Sequence, residues 1–388
     1  MNQNMQSIKT SYIQKEPVFS RKATSNGVKD KISVIIMLII TLIFLKNIVF
    51  NLLTYQYIKN PELIPQKLKI QETNEISAKR IINGLEFPKE EGYHKDALVE
   101  WWYFSSQLQD SQNPKNLFGA TVVFVKNKNN FDSHLIVVDI SEQKRYSGRT
   151  RTPQNTVSCS KLLLKSGENY WIETELFNYK LHYNYQNVEL DLILESLKNP
   201  VIIEDKILLK ELLEEQDVWG LHLNQTRIKA RGNLALENKK YDVIGTGWIY
   251  HRTFPRSFPE EIFGWKWWTV QLDNNVELMS RYAFCSQSVF SDLFIFEENS
   301  SGLNMERLDK TQYSLKELSY WEDFITPRFW LLEIPAKNVN LKISSLMQDQ
   351  SLSEVMYEGI CEVEGVYQGL EVRGQAHFEK KNRVKLGL

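Results

Sequence analysis

Two stretches carry residue types that could move protons beside an apolar surface. One is Gly245-Thr246-Gly247-Trp248-Ile249-Tyr250-His251; the other, soon after it, is Gly264-Trp265-Lys266-Trp267-Trp268. In an extended strand successive side chains alternate in direction, so Trp248 and Tyr250 share a face, and His251 falls on the other face or at the strand end. An aromatic face attracts a cation, and an imidazole titrates near neutrality. The chemistry implied is an aromatic wall that binds a polyene and stabilises a passing carbocation. Glu100, in Glu100-Trp101-Trp102-Tyr103, is a further candidate acid, and His222 a further pocket member. Each has a plainer reading. Buried Trp and Tyr mostly fill cores, a lone His is more often structural, and Glu100 could pair with an Arg or a backbone amide.

Other chemistries find no foothold. The chain has no G-x-S-x-G elbow, no HExxH and no P-loop, and Gly245-Thr246-Gly247 lacks the third glycine of a dinucleotide loop. The six His (94, 134, 182, 222, 251, 377) show no ligand spacing, so neither a metal nor a cofactor is expected. Cys159, Cys285 and Cys361 lie far apart, which rules out a disulfide scaffold and leaves one bridge open. A net charge of -1 without a long basic block speaks against nucleic acid as a partner.

The elements that must position these residues are strands. Aromatics reach 12% of 388 residues, a proportion that suits β-rich chains and apolar pockets. Alternating runs recur from Leu98–Leu108 through Tyr241–Tyr250 to Leu370–Glu379, separated by Asn, Asp and Gly turns. Only Lys206–Gln216 has helical spacing. A weak echo between the Trp101-Trp102 and Trp267-Trp268 stretches suggests two similar halves, 85–235 and 236–388. Ahead of them lie a basic tail at 1–31, an uncharged-to-Leu45 apolar span at 32–53 and a polar linker at 54–84. The span is long enough to cross a bilayer, and no small-residue cleavage site follows it, which favours an anchor over a cleaved signal peptide. The positive-inside rule then puts the N-terminus in the cytoplasm and the globular part outside it.

The motifs, in order, resemble the hydroxyneurosporene synthase (carotenoid 1,2-hydratase) family and its AttH-type relatives. Glu100-Trp101-Trp102-Tyr103 looks like the family's opening. His134 to Asp139 looks like its next strand, and Trp248 to His251 with Gly264-Trp265 and Trp267 looks like its Gly-x-x-Trp-x-Asp-His core. Tyr320-Trp321, Pro327 to Pro335, Asp349-Gln350, Tyr357-Glu358-Gly359 and Gly374 to Glu379 resemble its C-terminal half. The resemblance implies a mainly β fold of two lipocalin-like antiparallel β-barrel domains. It also implies a hydrophobic partner such as a carotenoid, isoprenoid or lipid. Catalysis would fall to His251, Tyr250 and Glu100, and binding to Trp248, Trp101, Trp102, Trp265, Trp267 and His222. One departure bears on the chemistry. Tyr250 stands where the family has an acid, and a phenol is weaker by roughly six pKa units, or about 8 kcal/mol. Two readings follow: an enzyme that hydrates or cyclises an isoprenoid, or a lipid-binding protein without catalysis. Both expect the rings near 101, 248 and 265 to enclose a dry hollow. A purely structural, anchored protein is a third reading.

Overall fold

The computed structural model describes residues 69–70 and 79–382, apart from 128–129, 153–154, 204–219, 255–261, 286–288, 300–301, 322–326 and 354. The expected span at 32–53 and the expected helix at Lys206–Gln216 lie outside the described residues. Among the described residues no helix is long and apolar enough to cross a membrane. The only helical pieces there are the 3-10 turns Lys89–Glu91 and Pro335–Lys337.

The remainder is mainly β, in two large curled sheets, antiparallel apart from a short parallel pairing of Lys69–Ile70 with Asn155–Val157. The first sheet has 13 strands. At its centre His222–Leu236, Lys239–Phe254, Val99–Asp110, Leu117–Asn127 and Asn130–Asp139 lie side by side. The second has 10 strands, with Ile262–Leu272, Leu370–Asn382 and Met356–Tyr367 adjacent at its centre. The expected boundary at 235/236 falls inside a hairpin of the first sheet, turned by Glu237 at φ 55°. The second sheet begins at Ile262, so Lys239–Phe254 stays with the first half. Asn178–Tyr185 and Val188–Ser196 form a hairpin turned by Gln186 at φ 53°.

Period-two alternation explains the layers. Each sheet buries one face in its own core: Trp102, Phe104, Phe118, Phe124 and Trp171 in the first, Trp268, Trp330, Leu341 and Phe378 in the second. The opposite faces meet, and Tyr103, Trp248, Tyr250, Trp267, Met279, Phe294 and Phe296 form a third cluster between the sheets. The tryptophan echo has a structural counterpart. Trp102 and Trp268 enter their own cores, while Trp101 and Trp267 turn to the shared cluster.

Charge also joins the sheets. Glu277 of the second sheet is fully buried and meets Lys198 Nζ at 2.8 Å and Arg227 Nε at 2.5 Å. Removing one partner of a buried ion pair leaves an uncompensated charge. Glu277→Gln is expected to destabilise the protein by about 3 kcal/mol in urea unfolding. A loss below about 1 kcal/mol would mean that the two cations find other partners.

Candidate functional site

The sequence-derived candidates fall into two groups, one on each face of the first sheet, with Trp265 and Trp267 joining the second group from the second sheet. On the core-facing side stand Glu100, Trp102 and His251. His251 lies opposite Trp102 across the strand pair, its ring stacked on the indole at 4.7 Å between centroids. Its Nε2 lies 2.8 Å from Glu100 Oε1. His94, which the sequence did not single out as a candidate, completes this group with Nδ1 2.8 Å from the same oxygen. Burial would lower the His94 pKa, but hydrogen bonds to Glu100 and Glu90 outweigh it and raise it to about 9. Burial lowers the His251 pKa. Burial would raise the Glu100 pKa, but His251 and His94 bring it below the usual carboxylate value.

On the inter-sheet side stand Trp101, Trp248, Tyr250, Trp265, Trp267 and His222. Tyr250 stacks on Tyr103 at 4.4 Å and on Trp267 at 6.0 Å. The His222 ring meets Tyr250 and Trp267 edge-on. The Arg252 guanidinium lies over Trp101, Phe254 and Trp267 at 5.6, 4.7 and 5.1 Å. Among the described residues these rings pack against one another. A cavity of about 20 Å³ lies beside Trp248, lined among others by Gln107, Gln271, Gln375 and His377. That is room for one water, in polar surroundings. The Gln107 Oε1 atom in this lining has no hydrogen-bond partner.

Sequence reasoning passed over the carboxylates of this face. The loop Gln368-Gly369, with φ 52° and 84°, is a two-residue turn with both residues left-handed, as a tight hairpin requires. It sets an unbroken register in which Glu358 faces Glu379 directly. Phe378 enters the second core, so His377 and Glu379 point the other way, toward the first sheet. Glu358 and Glu379 are 2% and 3% exposed. Tyr103 Oη donates to Glu358 Oε2 at 2.5 Å, Tyr250 Oη to Glu379 Oε2 at 2.9 Å, and Trp265 Nε1 to Glu379 Oε1 at 2.5 Å. Glu358 Oε1 has no hydrogen-bond partner.

Burial and then the charge of Glu379 push the Glu358 pKa well above the ordinary value. Burial also raises Glu379, but hydrogen bonds from Trp265 and Tyr250 and the charges of Lys381 and Arg252 oppose the rise. Burial and mutual repulsion thus favour the neutral form of the pair, and Glu358, which has fewer opposing contacts, is the better seat for a shared proton. Burial foremost, followed by these carboxylates, pushes the Tyr103 and Tyr250 phenols well above their usual range, so both stay protonated donors. Tyr250 thus serves as a donor to a carboxylate. His377, its pKa lowered by burial to about 3, is a neutral imidazole within 3.3 Å of Tyr103 Oη and Thr121 Oγ1.

A second buried acid pair lies in the first core. Tyr179 Oη and Gln225 Nε2 donate to Glu91 Oε1 at 2.5 and 2.6 Å. Burial and then Glu173 raise the Glu91 pKa well above normal, and burial raises Glu173 to about 7. A carboxyl raised on folding contributes stability that is whole below its unfolded value and is lost as pH rises through the folded one. Glu173→Gln is therefore expected to stabilise the protein at pH 8 by about 3 kcal/mol relative to pH 4, as read by urea unfolding at the two pH values. An equal effect at both would show that Glu173 titrates normally.

A family model described as AttH-like matches residues 80–379. Among solved structures, a protein from Nitrosomonas europaea described as an AttH superposes with a TM-score of 0.63 at 17% identity, over 79% of this chain and 99% of that one. Kievitone hydratase from Nectria haematococca gives 0.59 at 14%, over 82% and 97%. CghA gives 0.52 at 11%, over 84% and 99%. At these identities the likeness establishes the shared fold. No curated protein matches the chain significantly.

Proposed function

The chain belongs to the AttH-like family, and on that premise we propose that it is a hydratase-like enzyme adding water to an alkene of a hydrophobic, isoprenoid-class substrate. The observation that carries this reading is the buried Glu358–Glu379 pair, which supplies the acid that Tyr250 displaces from its usual place in the family motif. Glu358 transfers its proton to the less substituted alkene carbon, whose π pair forms the new C–H bond and leaves a tertiary cation. Trp101, Trp265 and Trp267 flank that cation with aromatic faces. A water held beside His377 forms the C–O bond. The proton it releases passes through His377, 3.5 Å from Glu358 Oε2, back to the carboxylate pair. The sum is addition of one water with the enzyme restored.

Two features support a carotenoid-like polyene as substrate: the aromatic lining, and the order of motifs shared with carotenoid 1,2-hydratases. Trp101 and Trp265 are half-buried and mark the edge from which a long substrate reaches the pair. The two sheets would act as lipocalin-like halves closing over it. The apolar span 32–53 supports a single-pass anchor, with the basic tail in the cytoplasm and the body on the other side. Protease protection of the tail but not of the body in sealed membranes would support that topology, and a protected body would overturn it.

The chemical test is incubation of the purified full-length protein with lycopene or neurosporene in detergent made with deuterated water. A mass gain of one water, with deuterium on carbon, is expected. The packing of the rings favours a second reading, a lipid-holding protein without turnover. That reading gains if the polyene binds and quenches tryptophan fluorescence but takes up neither water nor deuterium. If polyenes and long-chain lipids neither bind nor react, both readings fall.

A further inference from the structure

We propose that His94, Glu100 and His251 form a binding site for one divalent transition-metal ion, with Zn²⁺ as the best fit. The site lies on the core-facing side of the first sheet, across the pleat from the carboxylate pair, and does not depend on the hydratase reading.

The ligand atoms converge without any motif spacing in the chain. His94 Nδ1 and His251 Nε2 each lie 2.8 Å from Glu100 Oε1, and one ligand atom from each residue falls within 4.8 Å of the others. Around a tetrahedral zinc with bonds of about 2.0–2.1 Å, neighbouring ligand atoms stand roughly 3.3 Å apart. The two nitrogen–oxygen separations therefore need to widen by only about half an ångström to admit an ion. Two of the three ligands are rigidly held. Glu100 and His251 sit on paired strands, where Glu100 faces Thr253 and His251 faces Trp102. The Trp102 indole stacks on the His251 ring and limits its rotation.

The third ligand supplies access. His94 follows the 3-10 turn Lys89–Glu91, and its side chain is 31% exposed. That opening gives an entry path and a free coordination position for water. The other ring nitrogen of His94 faces Glu90 Oε2 at 3.4 Å. A carboxylate behind a ligating imidazole is the usual support for a metal-bound histidine. Two imidazoles and one carboxylate suit Zn²⁺, Ni²⁺ or Cu²⁺ better than the all-oxygen preferences of Ca²⁺ or Mg²⁺. Lys126 Nζ is the nearby opposing charge, and it is turned to the main-chain oxygens of His94 and Lys95 at 2.8 and 3.3 Å. A second grouping, His182 with Glu189 and Asp191, lies nearer the surface and serves as the internal control.

The experiment uses the full-length protein without a histidine tag, stripped with a chelator and dialysed, then titrated with ZnCl₂ by calorimetry. Co²⁺ is added in parallel and read by its visible absorption. The expected result is one zinc per chain with micromolar or tighter affinity, together with Co²⁺ bands of a four- or five-coordinate site. His94→Gln changes a part-exposed side chain, and circular dichroism checks that this variant folds; it should weaken zinc binding by at least 100-fold. Glu100→Gln should weaken it similarly, and His182→Gln should leave it unchanged. No zinc uptake by the native protein overturns the proposal. So does equal uptake by the folded His94→Gln variant, or loss of binding in His182→Gln instead.

Discussion

Glu358→Gln is expected to lower turnover of a hydrated polyene by about 10³-fold while leaving substrate binding within a factor of a few, because general acid groups contribute about 10²–10⁴. The amide keeps the shape and still accepts the Tyr103 hydroxyl, but it holds no proton to give. Glu379→Gln acts differently. The Glu379 charge is the second cause, after burial, of the raised Glu358 pKa. Removing it lets Glu358 ionise at lower pH. The acid works only while protonated, so activity falls as pH rises through the folded pKa of Glu358. In Glu379→Gln that falling limb should move to lower pH, with the low-pH plateau retained at least in part. A plain loss at every pH, without a moved limb, would make Glu379 a donor in its own right. Glu358→Gln turning over at the native rate would remove the pair from the chemistry altogether.

Much of the architecture was legible because period-two alternation is a local property. The strands around Glu100, His134, Trp248, Trp265 and Glu379 all stand close to where the pattern put them. The pattern also showed that Tyr250 and His251 point apart. It could not show what lies on either side of the strand. Glu100 was chosen as a stand-in for the missing acid, yet it faces the first core with His94 and His251. Two hairpin registers and the packing of one sheet on the other decide that placement, and neither is encoded in any short window. Glu358 and Glu379 sit among other charged residues on their strands, and the Gln368-Gly369 turn was the available sign that they stand opposite each other. Their significance required the first sheet, whose Tyr103 and Tyr250 donate to them across the gap. The grouping of His94, Glu100 and His251 was equally hidden, because His94 lies in the loop after the Lys89–Glu91 turn and His251 on a strand far along the chain.

Tyr250→Asp, the change that restores the family acid by sequence, is expected to destabilise the protein by about 5 kcal/mol rather than to improve it as a hydratase. Tyr250 is buried, and its ring stacks between Tyr103 and Trp267. Truncating a buried aromatic side chain costs about 3–5 kcal/mol through lost contacts and the cavity left behind. The new carboxyl would then stand beside Glu379 and Glu358, both already raised by burial. Three acids in one dry space cannot all ionise, so the added one would also be raised above its unfolded value. Its contribution to stability is then present only at low pH and is lost as pH rises, which makes the variant most unstable under alkaline conditions. Tyr250→Phe separates the terms. It keeps the stacked ring, removes one hydroxyl donor from Glu379, and should destabilise by about 1–2 kcal/mol. Urea unfolding of both variants at pH 5 and pH 8 measures the difference. If Tyr250→Asp is within 1 kcal/mol of the native protein at pH 8, the space around Tyr250 is wetter and roomier than the packed rings imply. The acid would then fit where the family motif has it, and the case that Glu358 and Glu379 replaced it would fail.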